Sequence, residues 1–66
     1  MTFLLNGEPQ DGAAALTVHA LLERHDWLRK RVAVAINGAV VPRSLFADVR
    51  IQDGDKVEVL HAVGGG

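Results

Sequence analysis

The residues with the most chemistry to offer in this chain are three that carry no side chain. Gly64-Gly65-Gly66 follow the strand-like run Lys56-Val57-Glu58-Val59-Leu60-His61-Ala62-Val63. They present only backbone amides and the carboxylate of Gly66. Glycine loses more conformational freedom on ordering than any other residue, so three in a row are expected to stay mobile. Without a Cβ they also fit a channel too narrow for any other residue. Two readings stand at this point: a carboxylate on a slim arm presented to another protein's active site, or a frayed end or expression scar.

The other reactive residues do not assemble into a centre. There are three histidines and no cysteine, which excludes disulfides, thiolate metal sites and a thiol nucleophile. His19 and His25 are expected about 240° apart around a helix, on different faces. His61 falls on another element with no second ligand beside it. Ser44 is the one serine, with no His or acid at a spacing that marks a nucleophile; its expected role is to cap a turn before Leu45. Neither Asn6-Gly7 nor Asn37-Gly38 opens a helix, so neither is a phosphate-binding loop. The chain is not expected to be an enzyme in itself.

At 66 residues, with 7 Lys and Arg against 8 Asp and Glu, it is read as one small, nearly neutral domain. That balance argues against a nucleic-acid binder that works by neutralising phosphates. Met1-Thr2-Phe3-Leu4-Leu5 has no basic n-region and is cut short by Asn6-Gly7, so it does not read as a signal peptide. No apolar run reaches the roughly 20 residues that span a bilayer. A cytoplasmic location, without membrane or nucleic-acid partners, is the expectation.

The elements that would hold the arm follow from periodicity. Thr2–Leu5 alternate as a strand, with Met1, Phe3 and Leu5 on one face. Asn6-Gly7 tolerates positive φ and predicts a hairpin turn. Glu8–Asp11 returns as a polar, proline-containing edge strand that Gly12 ends. Leu16 leads into a helix capped by Thr17 and ending near His25 or Asp26, with Val18, Leu21, Leu22 and His25 as its apolar stripe. Trp27-Leu28-Arg29-Lys30-Arg31 reads as a solvated loop, with a binding patch as the alternative. Val32, Val34 and Ile36 alternate with alanine as a central strand; Asn37-Gly38 turns it into Ala39–Val41, which Pro42 stops. Leu45 and Phe46 are expected to cover one end of the core. Asp53-Gly54-Asp55 turns the chain into a last strand, where Val57, Val59 and His61 share the inward parity. A hairpin, one helix and further strands around one small core describe an α+β domain.

Several of these stretches are moderately specific, and together they resemble the ThiS family of sulfur carriers. The segments concerned are Ile36-Asn37-Gly38-Ala39-Val40-Val41-Pro42-Arg43, Asp53-Gly54-Asp55-Lys56-Val57-Glu58-Val59 and the terminal Gly65-Gly66. Phe3-Leu4-Leu5-Asn6-Gly7 and the helix start at Thr17-Val18 match as well, so the resemblance spans nearly the whole chain. Gly64 departs from the pattern, which often has alanine or a bulkier residue there.

The resemblance implies a ubiquitin-like β-grasp fold: a mixed sheet of order 2-1-5-3-4 with one main helix across one face, residues 1–63 forming the domain and 64–66 a flexible glycine tail. It implies a role in making the thiazole half of thiamine. A ThiF-type adenylating enzyme would use ATP and magnesium to activate Gly66, the chain itself binding no cofactor. Sulfur drawn from cysteine through a desulfurase would give a thiocarboxylate, and a ThiG-type thiazole synthase would take the sulfur. Gly64 and Gly65 would thread into the partner sites, and the free carrier would be a monomer. The small subunit of molybdopterin synthase shares this pattern of fold, tail and adenylation, and an unmodified β-grasp binding module is a further alternative. In the implied strand order, parity puts Leu4, Ala33, Ala35, Leu60 and Ala62 on the sheet face away from the helix. Such a contiguous apolar patch is a candidate docking face.

Overall fold

In the computed structural model, which describes residues 1–62, both Asn-Gly dipeptides turn the chain through a hairpin. Asn6 and Gly7 have φ of 50° and 85°, Asn37 and Gly38 of 52° and 84°. This is the doubly left-handed turn whose twist matches that of the flanking strands. The first hairpin joins β1 (Thr2–Leu5) to β2 (Glu8–Asp11), and the second joins β3 (Val32–Ile36) to β4 (Ala39–Val41). A final strand, β5 (Lys56–His61), lies between the hairpins and gives the five-stranded order β2-β1-β5-β3-β4. β5 runs parallel to β1 and antiparallel to β3. Fold class, strand order and hairpins all follow the expectation.

One helix, α1 (Val18–Arg24), covers one face of the sheet. Seven residues are too few to form a stable helix alone, so packing and end-capping must hold it. Val18, Leu21 and Leu22 are fully buried against Phe3, Val34, Val57 and Val59. At the N-terminus Thr17 Oγ1 accepts from the Ala20 amide at 3.1 Å. The Val18 and His19 amides donate to the carbonyls of Val49 and Phe46 at 3.0 and 2.9 Å. Three of the four amides that a helix start leaves orphaned are thereby satisfied. At the C-terminus Asp26 adopts φ 61°. There the Trp27 amide donates to Leu22 O at 2.8 Å and the Asp26 amide to Glu23 O at 3.1 Å. These are the two bonds of a Schellman cap, with aspartate where glycine is usual.

The stretch after β4 corrects three expectations. A single 3-10 turn spans Arg43–Leu45, and its cap position is Pro42, with no side-chain bond. Ser44 therefore lies inside the turn and caps nothing. Leu45 is 43% exposed, whereas Phe46 is buried and Val49 is packed against the core. With about three residues per turn, Phe46 and Val49 share the inward line and Leu45 falls off it. Beyond them Ile51, to which the sequence reading assigned no role, is 1% exposed, and its amide donates to Leu16 O at 2.8 Å. The third correction is His61. It has the parity of Val57 and Val59, but it is exposed at the end of β5.

Candidate functional site

β5 is held by both hairpins, though not along its full length. The Leu4 amide donates to Asp55 O and the Asn6 amide to Val57 O, each at 2.9 Å. β1 then ends, and the Asn6 side chain takes over the pairing: Oδ1 accepts from the Val59 amide at 2.9 Å and Nδ2 donates to Val59 O at 3.2 Å. Past Val59, β5 has a neighbour on one side only, with Leu60 opposite Ala33 and His61 opposite Val32 in β3. The outermost bond here is from the Ala62 amide to Arg31 O at 2.9 Å. Gly64, Gly65 and Gly66, named from the sequence as the reactive arm, lie outside the described residues, as does the 63/64 boundary.

The sheet face away from α1 carries Leu4, Ala33, Ala35, Leu60 and Ala62. Leu60 is 67% exposed, and Ala33 and Ala62 are exposed, whereas Leu4 and Ala35 are half-buried. Three residues on this face were missed. Val40 pairs with Ala35 and is 75% exposed; a two-residue turn at Asn37-Gly38 already fixes that register. Lys56 and Glu58 alternate with the buried Val57 and Val59, and they stand opposite Leu4 and Ala35 respectively. They interrupt the patch on the β1 side. The apolar surface therefore lies on the end of β5, at Leu60 and Ala62, and across β3 and β4, at Ala33, Ala35 and Val40.

At that same end Arg31 and Arg43 join Leu60, His61 and Ala62 around a shallow depression. The His25 ring stacks on Trp27 with centroids 4.5 Å apart and planes 18° apart. His61 meets the Trp27 ring edge-on at 4.8 Å. His25 Nε2 is buried without a partner among the described residues. Among the described residues no three metal-ligating side chains come together, and no helix is long and apolar enough to cross a membrane. The described residues offer a surface, and no set of reacting side chains is assembled among them.

The profile of the ThiS family matches residues 3–66. The chain belongs to the ThiS family. It is 39% identical to the sulfur carrier protein ThiS of Escherichia coli (strain K12) over 66 residues, covering the whole of both. It is also 41% identical over its full length to a thiazole synthase of Paramagnetospirillum magneticum, but there it spans only 20% of that protein. Its structure superposes on the crystal structure of a thiamine biosynthesis protein (ThiS) from Geobacter metallireducens with a TM-score of 0.83, at 39% identity and full coverage of both chains. The ThiS likeness agrees with the β-grasp sheet of order β2-β1-β5-β3-β4. It gives the end of β5 its interest, because the ThiS profile runs on from there through the glycines.

Proposed function

We propose that this ThiS-family chain is a sulfur carrier of thiamine biosynthesis, acted on by partner enzymes and catalysing nothing itself. The observation that carries the reading is full-length likeness to the Escherichia coli sulfur carrier, glycine end included. A chain without cysteine can hold sulfur at an activated carboxyl group. A carboxylate resists attack because its charge is delocalised and oxide is a poor leaving group. Joining Gly66 to the AMP of ATP, with release of pyrophosphate, makes an acyl-adenylate with a good leaving group, which splits one hard step into two easier ones. The outer sulfur of a persulfide then adds to the carbonyl carbon and AMP departs; a second thiol attacks the inner sulfur of the resulting acyl disulfide, forming a new disulfide and releasing the thiocarboxylate. The product is a thiocarboxylate that a ThiG-type thiazole synthase can consume. ATP and magnesium belong to the ThiF-type adenylating enzyme, and the sulfur comes from cysteine through a desulfurase. The cytoplasm, where these small molecules are made, is the setting this reading requires.

The docking surface in this reading is the open sheet face, with Leu60 at its centre and Leu4, Ala33, Ala35 and Ala62 around it. A thiazole synthase that contains a stretch 41% identical to the whole of this chain supports that enzyme as a partner. Covalent linkage supplies a high effective concentration; a separate carrier must instead recognise its acceptor through its surface. Leu60 and Ala62 directly precede the arm, so an enzyme gripping them aims Gly66 into its own pocket.

The deciding experiment is intact-mass measurement after incubation with ATP, magnesium, cysteine, a thiol reductant, a desulfurase and the adenylating enzyme. The mass of one oxygen exchanged for one sulfur is expected, and it should vanish when Gly66 is deleted while thermal stability stays within about 0.5 kcal/mol. An unmodified mass under these conditions would leave only a binding module. Leu60→Glu should fold, since the side chain is exposed. It should weaken binding to the adenylating enzyme or thiazole synthase by at least about 1.4 kcal/mol, a tenfold loss. Unchanged affinity would remove this face from the interface.

A further inference from the structure

The open sheet face is not apolar to its margin. The loop from α1 to β3 carries Arg29, Lys30 and Arg31, all exposed, and Arg43 joins them after β4, its side chain bonded to that loop. Four of the seven basic residues of a chain of net charge −1 are gathered there. Arg29 shares a separate hollow with the carboxylates of Glu23 and Asp26, which oppose its charge. Arg31 and Arg43 instead line the depression that holds Ala33, Leu60 and Ala62 of the open face. There the internal bonds of Arg43 leave its charge in place. Its guanidinium donates to Lys30 O at 3.1 Å and, at 3.5 Å, to Leu28 O. Its guanidinium carbon sits 5.4 Å from the ring centroid of the buried Phe46. Two carbonyls and a ring orient a guanidinium without neutralising it, and its five N–H groups are not all used. The Arg31 backbone is held as well, since its carbonyl accepts from the Ala62 amide at 2.9 Å.

We infer that this depression receives an acidic segment of the adenylating enzyme, whose Asp or Glu side chains pair with Arg31 and Arg43 while an apolar neighbour covers Leu60. The inference rests on the carrier reading above and adds to the apolar docking face the charge its partner must bring. The planar forks of two guanidiniums suit carboxylates. Arg43 is already oriented, so little side-chain freedom remains to be lost on binding. A nucleic acid is the poorer fit, because it engages many cations along a backbone track; here two stand at the margin of an apolar surface. Magnitudes decide which step the pair serves. Exposed ion pairs add little to affinity, but charges beside a low-dielectric surface speed encounter by ten- to a thousandfold. Arg31 and Arg43 therefore act on association, and the apolar contact at Leu60 acts on dissociation.

The test is stopped-flow binding of the full chain to the adenylating enzyme without ATP, so that no chemical step enters. At about 50 mM salt Arg31→Glu should lower kon at least tenfold with koff within about threefold, and Arg43→Gln should lower kon about threefold. Arg50→Glu makes the same change of net charge at an exposed site that bridges to Thr17, at the other end of α1; it should lower kon less than about threefold. At about 1 M salt, where screening acts within about 3 Å, wild type and Arg31→Glu should agree within about twofold. Equal slowing by Arg31→Glu and Arg50→Glu overturns the inference, because net charge alone would then explain it. So does tighter binding of an oligonucleotide of about ten deoxythymidines than of the enzyme at about 0.15 M salt, which would assign the basic end to nucleic acid. A chain that gains sulfur while Arg31→Glu binds at the wild-type rate overturns this inference alone. A wild-type chain that neither binds the enzyme nor gains sulfur overturns the carrier reading and this inference with it.

Discussion

Asn6-Gly7 and Asn37-Gly38 are the same dipeptide in nearly the same backbone conformation, yet they serve β5 differently. Asn6 lies beside the middle of a strand whose backbone partner has just ended. Its side chain exchanges two bonds with Val59, both in a partly buried setting. Asn37 lies beside the start of β5. Its Oδ1 accepts from the Lys56 amide at 3.0 Å and its Nδ2 donates to Asp55 Oδ1 at 2.9 Å, both exposed. One asparagine stands in for a missing stretch of β1; the other ties together two loops that water can also solvate. The turn signal is local, but what the side chain does is decided by a third strand.

Substitution should separate the two turns. The largest effect is expected from Asn6→Leu, which orphans the Val59 amide and carbonyl and forces a branched side chain into positive φ. A loss of about 3 kcal/mol in urea unfolding is expected, and a loss under about 1 kcal/mol would mean the clamp is idle. Asn6→Gly keeps the backbone freedom and removes only the clamp, so about 1.5 kcal/mol should go. Exchange at the Val59 amide should rise more than at Val34. Gly7→Ala and Gly38→Ala probe the backbones alone, because a Cβ at either position meets nothing within 4 Å. Each should cost about 1 kcal/mol, and a gap above about 0.5 kcal/mol between them would show that the turns differ in more than their asparagines. Asn37→Gly should have the smallest effect, about 0.5 kcal/mol, since water replaces its bonds.

What the sequence disclosed and what it hid divide along the same line. Alternation in Thr2–Leu5 and Val32–Ile36, the two turns and the Thr17 cap are local signals, and each element appears at its expected place. Strand order came from the family resemblance, because no local pattern says that β5 enters between the hairpins. Side chains whose roles depend on distant residues were not legible. Ile51 looks like any loop isoleucine until the segment docks on Leu16. Gly12 reads as a strand end, whereas a Cβ there would lie 2.9 Å from Leu16 Cδ2 and 3.2 Å from Phe3 Cε1. On the open face, Lys56 and Glu58 follow from the alternation of β5, but an apolar pattern by itself does not include them. Arg43 was visible as part of a motif; its contacts with Lys30 and Phe46 become apparent only in three dimensions.

The place of β5 between the hairpins also constrains how the chain folds. Both hairpins close through two-residue turns, but the strand that joins them pairs Leu4 with Lys56 across most of the chain, so its slot fills later in folding. During that interval β1 and β3 each present an unpaired inner edge, a template for whatever strand arrives first. The outer edges are poorer templates, because β2 contains Pro9 and β4 is three residues long. Until the chain's own β5 arrives, that slot accepts a strand from either side. Pairing errors during folding therefore have their best opening in the central slot and not at the sheet's outer edges.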